Sequence, residues 1–335
     1  MDATDLERFS VNGLLGLGAN YEVYAATDRE TGQDVVLKRP WVQTIRGGQS
    51  WHVDEQSARV IELHRALGGT VPYISPLVGY TERVRHDGYF GDGLQQEYYV
   101  LVEERAHGVP LVADIKDKFR GIPIGLGQNL FALYSLVRGA GAASVFEQLL
   151  DVEEAFVRMD RLIMDLRPQN VFFDPRQGEI TVIDIGMCVD GGTASGPRPA
   201  PDIHDCLAEL CKFYLEPQRP PMQTKSYRDP FGMGPPLGFP KELDRMIQAC
   251  AGLASGPLQD IAVGILQRLK RRDYGAVAPF RRDLRQYFTV VDERNRNLQE
   301  FPDLVGVWRQ GLELLREKYW RKFRFDPDAD LAHYA

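Results

Sequence analysis

The chain has 335 residues, 44% of them hydrophobic and 26% charged, which supplies a sizeable core and is unlike a disordered polymer. With 40 Lys and Arg against 47 Asp and Glu, the formal charge is −7, so no global positive field gathers nucleic acid or an anionic membrane. Cys188, Cys206, Cys211 and Cys250 lack CxxC spacing, the start is acidic without a basic and then apolar run, and no stretch of about 18 apolar residues exists, so we expect a cytoplasmic protein with free thiols.

From Phe9 to Leu37, short β-type runs alternate with turn signals at Gly13 to Gly18 and Asp28 to Gly32, which predicts an antiparallel meander. Val60, Leu63 and Leu67 then mark one face of a helix over Val53 to Leu67, stopped by Gly68-Gly69. Further strands are predicted at Leu77 to Arg85 and Tyr98 to Glu103. After Gly108 the pattern turns helical, over Val145 to Arg161, Ile203 to Leu215, Leu243 to Leu253, Leu258 to Lys270 and an amphipathic Leu304 to Phe323. Two short strands, Val171 to Phe173 and Ile180 to Ile183, interrupt that run. The order predicts an α+β chain: a small β-rich lobe with one helix over 9–105, a larger mainly helical lobe over 106–290, and a helical extension over 291–335.

Chemistry-bearing residues fall at ordered places along this plan. Gly16 and Gly18 lie in a strand-turn-strand pattern where backbone amides can approach phosphates without an intervening side chain. Lys38 ends the next strand, where an ammonium meets α and β phosphates. Further on come Asp165-Leu166-Arg167-Pro168-Gln169-Asn170 and then Asp184-Ile185-Gly186.

These stretches resemble the catalytic loop and metal-binding turn of eukaryotic-type Ser/Thr protein kinases, whose usual forms are HRDLKPEN and DFG. The resemblance implies a two-lobed protein-kinase-like fold using ATP and Mg2+. By it, Asp165 orients the attacking hydroxyl and accepts its proton, Arg167 and Lys38 contact phosphates, and Asn170 and Asp184 hold magnesium. Glu55, with Glu62 second, is the expected partner of Lys38. The segment Tyr99 to Arg105 resembles the hinge: backbone groups near Glu103 and Arg105 hold adenine and Val102 forms the back wall, with Val23, Val36 and Phe172 as apolar covers. Asp202 resembles an aspartate that braces the catalytic loop, a plain helix N-cap being the equal alternative.

The pattern also departs from the family. Tyr21 replaces the third glycine of the loop and makes its roof bulkier, Ile163 and Met164 replace His-Arg, and Ile185 replaces Phe. Only Met187 to Pro201 precede Asp202, with no Ala-Pro-Glu, so the resemblance implies an atypical kinase with a short activation segment, not controlled by phosphorylation there. A protein Ser/Thr acceptor is the leading expectation. A nucleotide-binding scaffold and a kinase of a small-molecule hydroxyl are the alternatives. The glycine-dotted insertion Lys116 to Ala143 is read as structural, with a substitute acceptor site as the alternative.

Overall fold

The computed structural model describes residues 3–18, 20–47, 51–69, 71–86, 88–111, 118–119, 122–123, 141–192, 201–215, 241–252, 256–296, 312–313, 316–317 and 322–334. Most of the insertion at 116–143, the loops at 193–200 and 216–240, and most of the expected helix 304–323 lie outside them. The chain divides into two compact units, Met1–Ala106 and His107–Ala335. The first is rich in β-sheet and the second in helix, giving the expected α+β class.

In the first unit β1 (Phe9–Leu17), β2 (Tyr21–Asp28), β3 (Asp34–Pro40), β4 (Leu77–Tyr80) and β7 (Leu101–Glu104) form an antiparallel sheet in the order β1-β2-β3-β7-β4, and β5 (Val84–Arg85) pairs with β6 (Glu97–Tyr98). Helices α1 (Val42–Arg46) and α2 (Trp51–Leu67) follow β3. Alternation along the strands sends successive side chains to opposite faces. Ala26, Val35, Leu37 and Val102 join Phe9, Tyr98 and Val100 in one core cluster, while Tyr21 and Leu101 join Val53, Val60 and Ile61 of α2 in the other.

Adjacent residues of β3 show what this alternation does. Lys38 takes the face that carries Tyr21 and Leu101. Arg39 takes the other, buried to 2% exposure, where its guanidinium pairs with Glu22 at 2.8 Å and with Asp92 and lies 4.2 Å over the Phe90 ring. Arg39 therefore pins the turn carrying Phe90 and Asp92 onto the sheet.

In the second unit α3 (Ala142–Val157) packs on α7 (Val277–Arg296) through Phe146 and Phe288, whose centroids are 4.8 Å apart. Asp292 of α7 caps α3, accepting from the N–H groups of Ala142 and Ala143 at 2.9 and 3.2 Å. Between them in sequence lie α4 (Ile203–Tyr214), α5 (Lys241–Ala251) and α6 (Pro257–Lys270), close to the predicted spans. The strands are β8 (Val109–Pro110), β9 (Lys118–Phe119), β10 (Ile122–Pro123), β11 (Arg161–Ile163), β12 (Val171–Asp174), β13 (Glu179–Val182) and β14 (Cys188–Asp190). They form a three-stranded sheet β13-β12-β8 and the pairs β9-β10 and β11-β14. Gln148 of α3 grips the β12-β13 hairpin at both ends of its amide, donating to Gly178 O at 2.9 Å and accepting from Ile180 N–H at 2.8 Å.

Glu153, also on α3, is fully buried, and among the described residues its carboxylate has only the weakly donating Cys206 thiol beside it. Burial pushes its carboxyl up to about 8 from an ordinary 4.5. The folded chain thus keeps a proton that the unfolded chain releases above pH 4.5, so stability falls as pH rises from there to about 8. Glu153→Gln, which removes the titration and keeps the shape, is expected to raise stability at pH 7 by up to about 3 kcal/mol. Melting curves between pH 5 and 8 check this, the variant losing the downward slope that the parent shows.

Candidate functional site

The glycine hairpin is built with two register shifts in β1, between Val11 and Gly13 and between Leu14 and Gly16, and Gly18 N–H closes the turn on Tyr21 O at 2.8 Å. Among the described residues beyond its chain neighbours, a Cβ at Gly16 meets no atom within 4 Å, and one at Gly18 meets Tyr21 O at 3.5 Å. Packing of the hairpin itself therefore does not require glycine at either place, and the two positions are left clear for a group approaching the backbone. Tyr21 does not thicken the roof as expected. Its ring is buried against α2, with the hydroxyl 3.0 Å from Ser57 Oγ, while the neighbouring Asn20 donates to Gln56 at 2.7 Å.

Val23, Lys38 and Leu101 stand in register across β2, β3 and β7, as do Ala25, Val36 and Glu103. Val23 and Val36 thus share the face of Lys38. Val102 lies one residue out of step and points into the core on the opposite face with Leu37, so it is no back wall beside Lys38; a single step along a strand reverses the face. Glu103 takes that face instead. Its carboxylate lies 2.7 Å from Lys38 Nζ, both side chains less than a tenth exposed. Glu55 and Glu62, the helix residues expected to hold the lysine, are both exposed on α2. The buried His64 of α2 feels both charges of the pair: its imidazole is held below its ordinary value by burial, with Glu103 opposing and the Lys38 charge adding to the downward push. Arg105 spends its backbone N–H on Asp34 O at 3.1 Å, and Glu104 spends its own on Pro76 O at 2.9 Å. A hinge-type contact from Arg105 is therefore left to groups other than that N–H.

In the second unit the loop after β11 gathers the polar residues. Asn170 Nδ2 donates to Asp165 O at 3.2 Å and to Asp165 Oδ2 at 3.1 Å, and Arg167 Nε donates to Asp165 Oδ1. Pro168 opens the one-turn 3-10 helix Pro168–Asn170 that folds the carboxamide back on the carboxylate. Burial pushes the Asp165 carboxyl above its usual range, Arg167 and Asn170 pull it down, and the Asp184 charge adds to the upward push. Asp184 itself has φ +60°, a left-handed conformation uncommon outside glycine and concentrated at functional turns. Among the described residues no cluster of three or more His, Cys, Asp or Glu could hold a metal. Asp184 and Asn170 each carry a side-chain oxygen of the hard kind that a magnesium ion would take alongside waters and phosphates.

Two residues of α4 support this region. Asp202 is the N-cap of α4 in a capping box with Asp205, and it also pairs with Arg272, so the helix-cap alternative holds. The catalytic-type loop is braced instead by Tyr214, at the far end of α4, whose hydroxyl donates to Leu166 O at 2.7 Å. Leaving a buried tyrosine hydroxyl without a partner costs free energy, but the sequence does not say which acceptor Tyr214 finds. Ile163 and Ile185, at the family's His and Phe positions, are both buried apolar residues at 2% exposure. Phe172 and Ile183 lie on the half-exposed face of the β12-β13 hairpin, and Val171, Phe173, Ile180 and Val182 on its buried face.

No family model matches the chain. Over 196 residues it is 29% identical to the protein named "Putative cyclin-dependent kinase F-2" of Oryza sativa subsp. japonica, covering 58% of this chain and 50% of that protein. The chain thus spans about half the length of this curated relative. The likeness supports a protein-kinase-like relationship, with which the β-rich first unit and helical second unit are compatible. No described helix is long and apolar enough to cross a membrane.

Proposed function

We propose that this protein transfers the γ-phosphoryl group of ATP to a Ser or Thr hydroxyl of a protein. The observation that carries the reading is the Asp165 cluster: a buried carboxylate, pushed up in pKa, held by Arg167 and Asn170, with the Asp184 charge close enough to act on it. A carboxylate so placed orients a hydroxyl and takes its proton as the oxygen attacks phosphorus. The Arg167 guanidinium sits beside it to meet phosphoryl oxygens as charge develops. Lys38 supplies an ammonium for the α and β phosphates, and Gly16 and Gly18 leave their backbone accessible. Magnesium, held by Asn170 and Asp184, would neutralise the phosphate charge. Val23, Val36 and Phe172 are the apolar covers we assign to the base. The same elements, with transfer absent, describe a nucleotide-binding scaffold; the short stretch Met187 to Pro201 favours either this or a small acceptor over a broad peptide platform.

Nucleotide binding comes first in the test. ATP with magnesium, at a hundredfold excess over Kd, is expected to stabilise the chain by about 2.7 kcal/mol, seen as a rise in Tm, and Lys38→Ala or Asp184→Ala should abolish the rise. A parent protein whose melting ignores ATP with magnesium contradicts the proposal. Binding without release of labelled phosphate to any protein acceptor supports the scaffold.

A further inference from the structure

The segment Phe323–Tyr334 is not part of the kinase-like pattern, yet it is fastened to the β12-β13 hairpin from both faces. Gly108 N–H donates to Arg324 O at 2.9 Å, and His107 and Arg324 form a bridge parallel in direction. Gly108 is itself confined to glycine: its φ is +83°, and a Cβ there would lie 1.8 Å from Phe173 O. Asp330, fully buried, accepts from Arg176 Nε at the hairpin turn, from Asp326 N–H at 2.7 Å, and stands 3.3 Å from His107 Nε2. On the buried face of β12, Phe173 meets Tyr334 at 6.3 Å between centroids. On the opposite face, Phe172 meets Phe323 at 6.2 Å, edge to face at 72°. Phe323 is thus brought to the half-exposed face that carries Phe172, two residues from Asn170 in the chain.

We propose that the 323–334 segment is a built-in part of the nucleotide site, with Phe323 packing beside Phe172 against the base of ATP. The inference rests on the ATP reading above and goes beyond it by making base recognition depend on a segment about 150 residues from the catalytic-type loop. The chemistry is ordinary: a purine presents a flat apolar face and a polar edge, and two rings set at a steep angle offer it one stacking surface and one lateral wall. The ionic anchor at Asp330 fixes the segment, so the wall is present before ligand arrives and little ordering entropy opposes binding.

Titration calorimetry of the full chain with ATP and magnesium, with adenosine, and with magnesium tripolyphosphate tests this, alongside melting without ligand. Phe323→Ala is expected to weaken ATP and adenosine about tenfold each, to leave tripolyphosphate unchanged, and to leave the ligand-free Tm near the parent's, since the ring is only half-buried. Phe323→Trp should bind adenosine at least as well as the parent. If Phe323→Ala binds adenosine and ATP like the parent, the proposal is overturned while the ATP reading stands. Equal weakening of tripolyphosphate and adenosine with a fall in Tm makes the role structural and also overturns it. A parent that binds neither ATP nor adenosine removes both.

Discussion

Asp165→Asn is expected to lower the rate of phosphoryl transfer by about 10² to 10⁴-fold, with ATP affinity close to the parent's and a Tm equal or higher. The amide keeps the shape of the carboxylate and one acceptor for Arg167 or Asn170, but it cannot take a proton. The stability half follows from the sign of the pKa displacement. Burial, aided by Asp184, raises the Asp165 carboxyl, so above its ordinary value the folded state holds an ion less comfortably than the unfolded chain does. Removing that charge relieves the fold and destroys the chemistry. A residue retained for packing would show the reverse, a lower Tm with transfer intact. The parent's rate should fall as pH drops through a value above the ordinary carboxylate range, and Asp165→Asn should lack that acid limb. Initial rates of labelled phosphate transfer across pH 4 to 8, with Tm measured on the same samples, check both halves. Unchanged transfer in the variant would sink the assignment of Asp165 as the base.

The parts that could be read from the sequence are those where a local pattern dictates structure without help from distant contacts. The glycine hairpin, the helix after Lys38, the β12-β13 hairpin and helices α3 to α6 all carry period-2 or period-3.6 signals within their own span. Helix α7 escaped because Pro279 lies in its first turn and eight residues between Arg281 and Arg296 are charged, which hides the stripe of Phe280, Leu284, Tyr287, Phe288 and Val291. Side-chain facing was harder. Val102 and Glu103 are neighbours in a run of strand formers, and nothing local says which of them looks toward Lys38; the pairing of β7 with β3 decides it. Long-range partners were out of reach for the same reason. Tyr214 meets Leu166 across 48 residues and Phe323 meets Phe172 across about 150, distances that only the fold closes. The identity of Lys38's partner is of this kind, and it bears on how the site is held together.

Glu103→Gln is expected to cost about 3 to 5 kcal/mol of stability and most of the ATP affinity. Lys38 is 6% exposed and Glu103 is the carboxylate at 2.7 Å. With that charge gone, the protein must either hold a buried ammonium without the carboxylate at 2.7 Å or let the lysine lose its proton, and a neutral amine no longer attracts phosphate. Because Lys38 and Glu103 sit on adjacent strands of one sheet, the pair is made by strand register and does not depend on where α2 lies. A lysine held by a helix glutamate would behave differently, since displacing the helix would release it. The double variant Lys38→Met, Glu103→Leu should recover much of the stability lost by either single change, because two apolar side chains replace two charges, yet bind no ATP. Chemical denaturation and ATP titration of the two singles, the double, Glu55→Gln and Glu62→Gln complete the comparison. If Glu103→Gln matches the parent in both measurements while Glu55→Gln or Glu62→Gln loses ATP binding, the helix supplies the working partner and the β7 ion pair is dispensable. The expected opposite result would mean that strand register alone keeps the phosphate-binding lysine charged and in place.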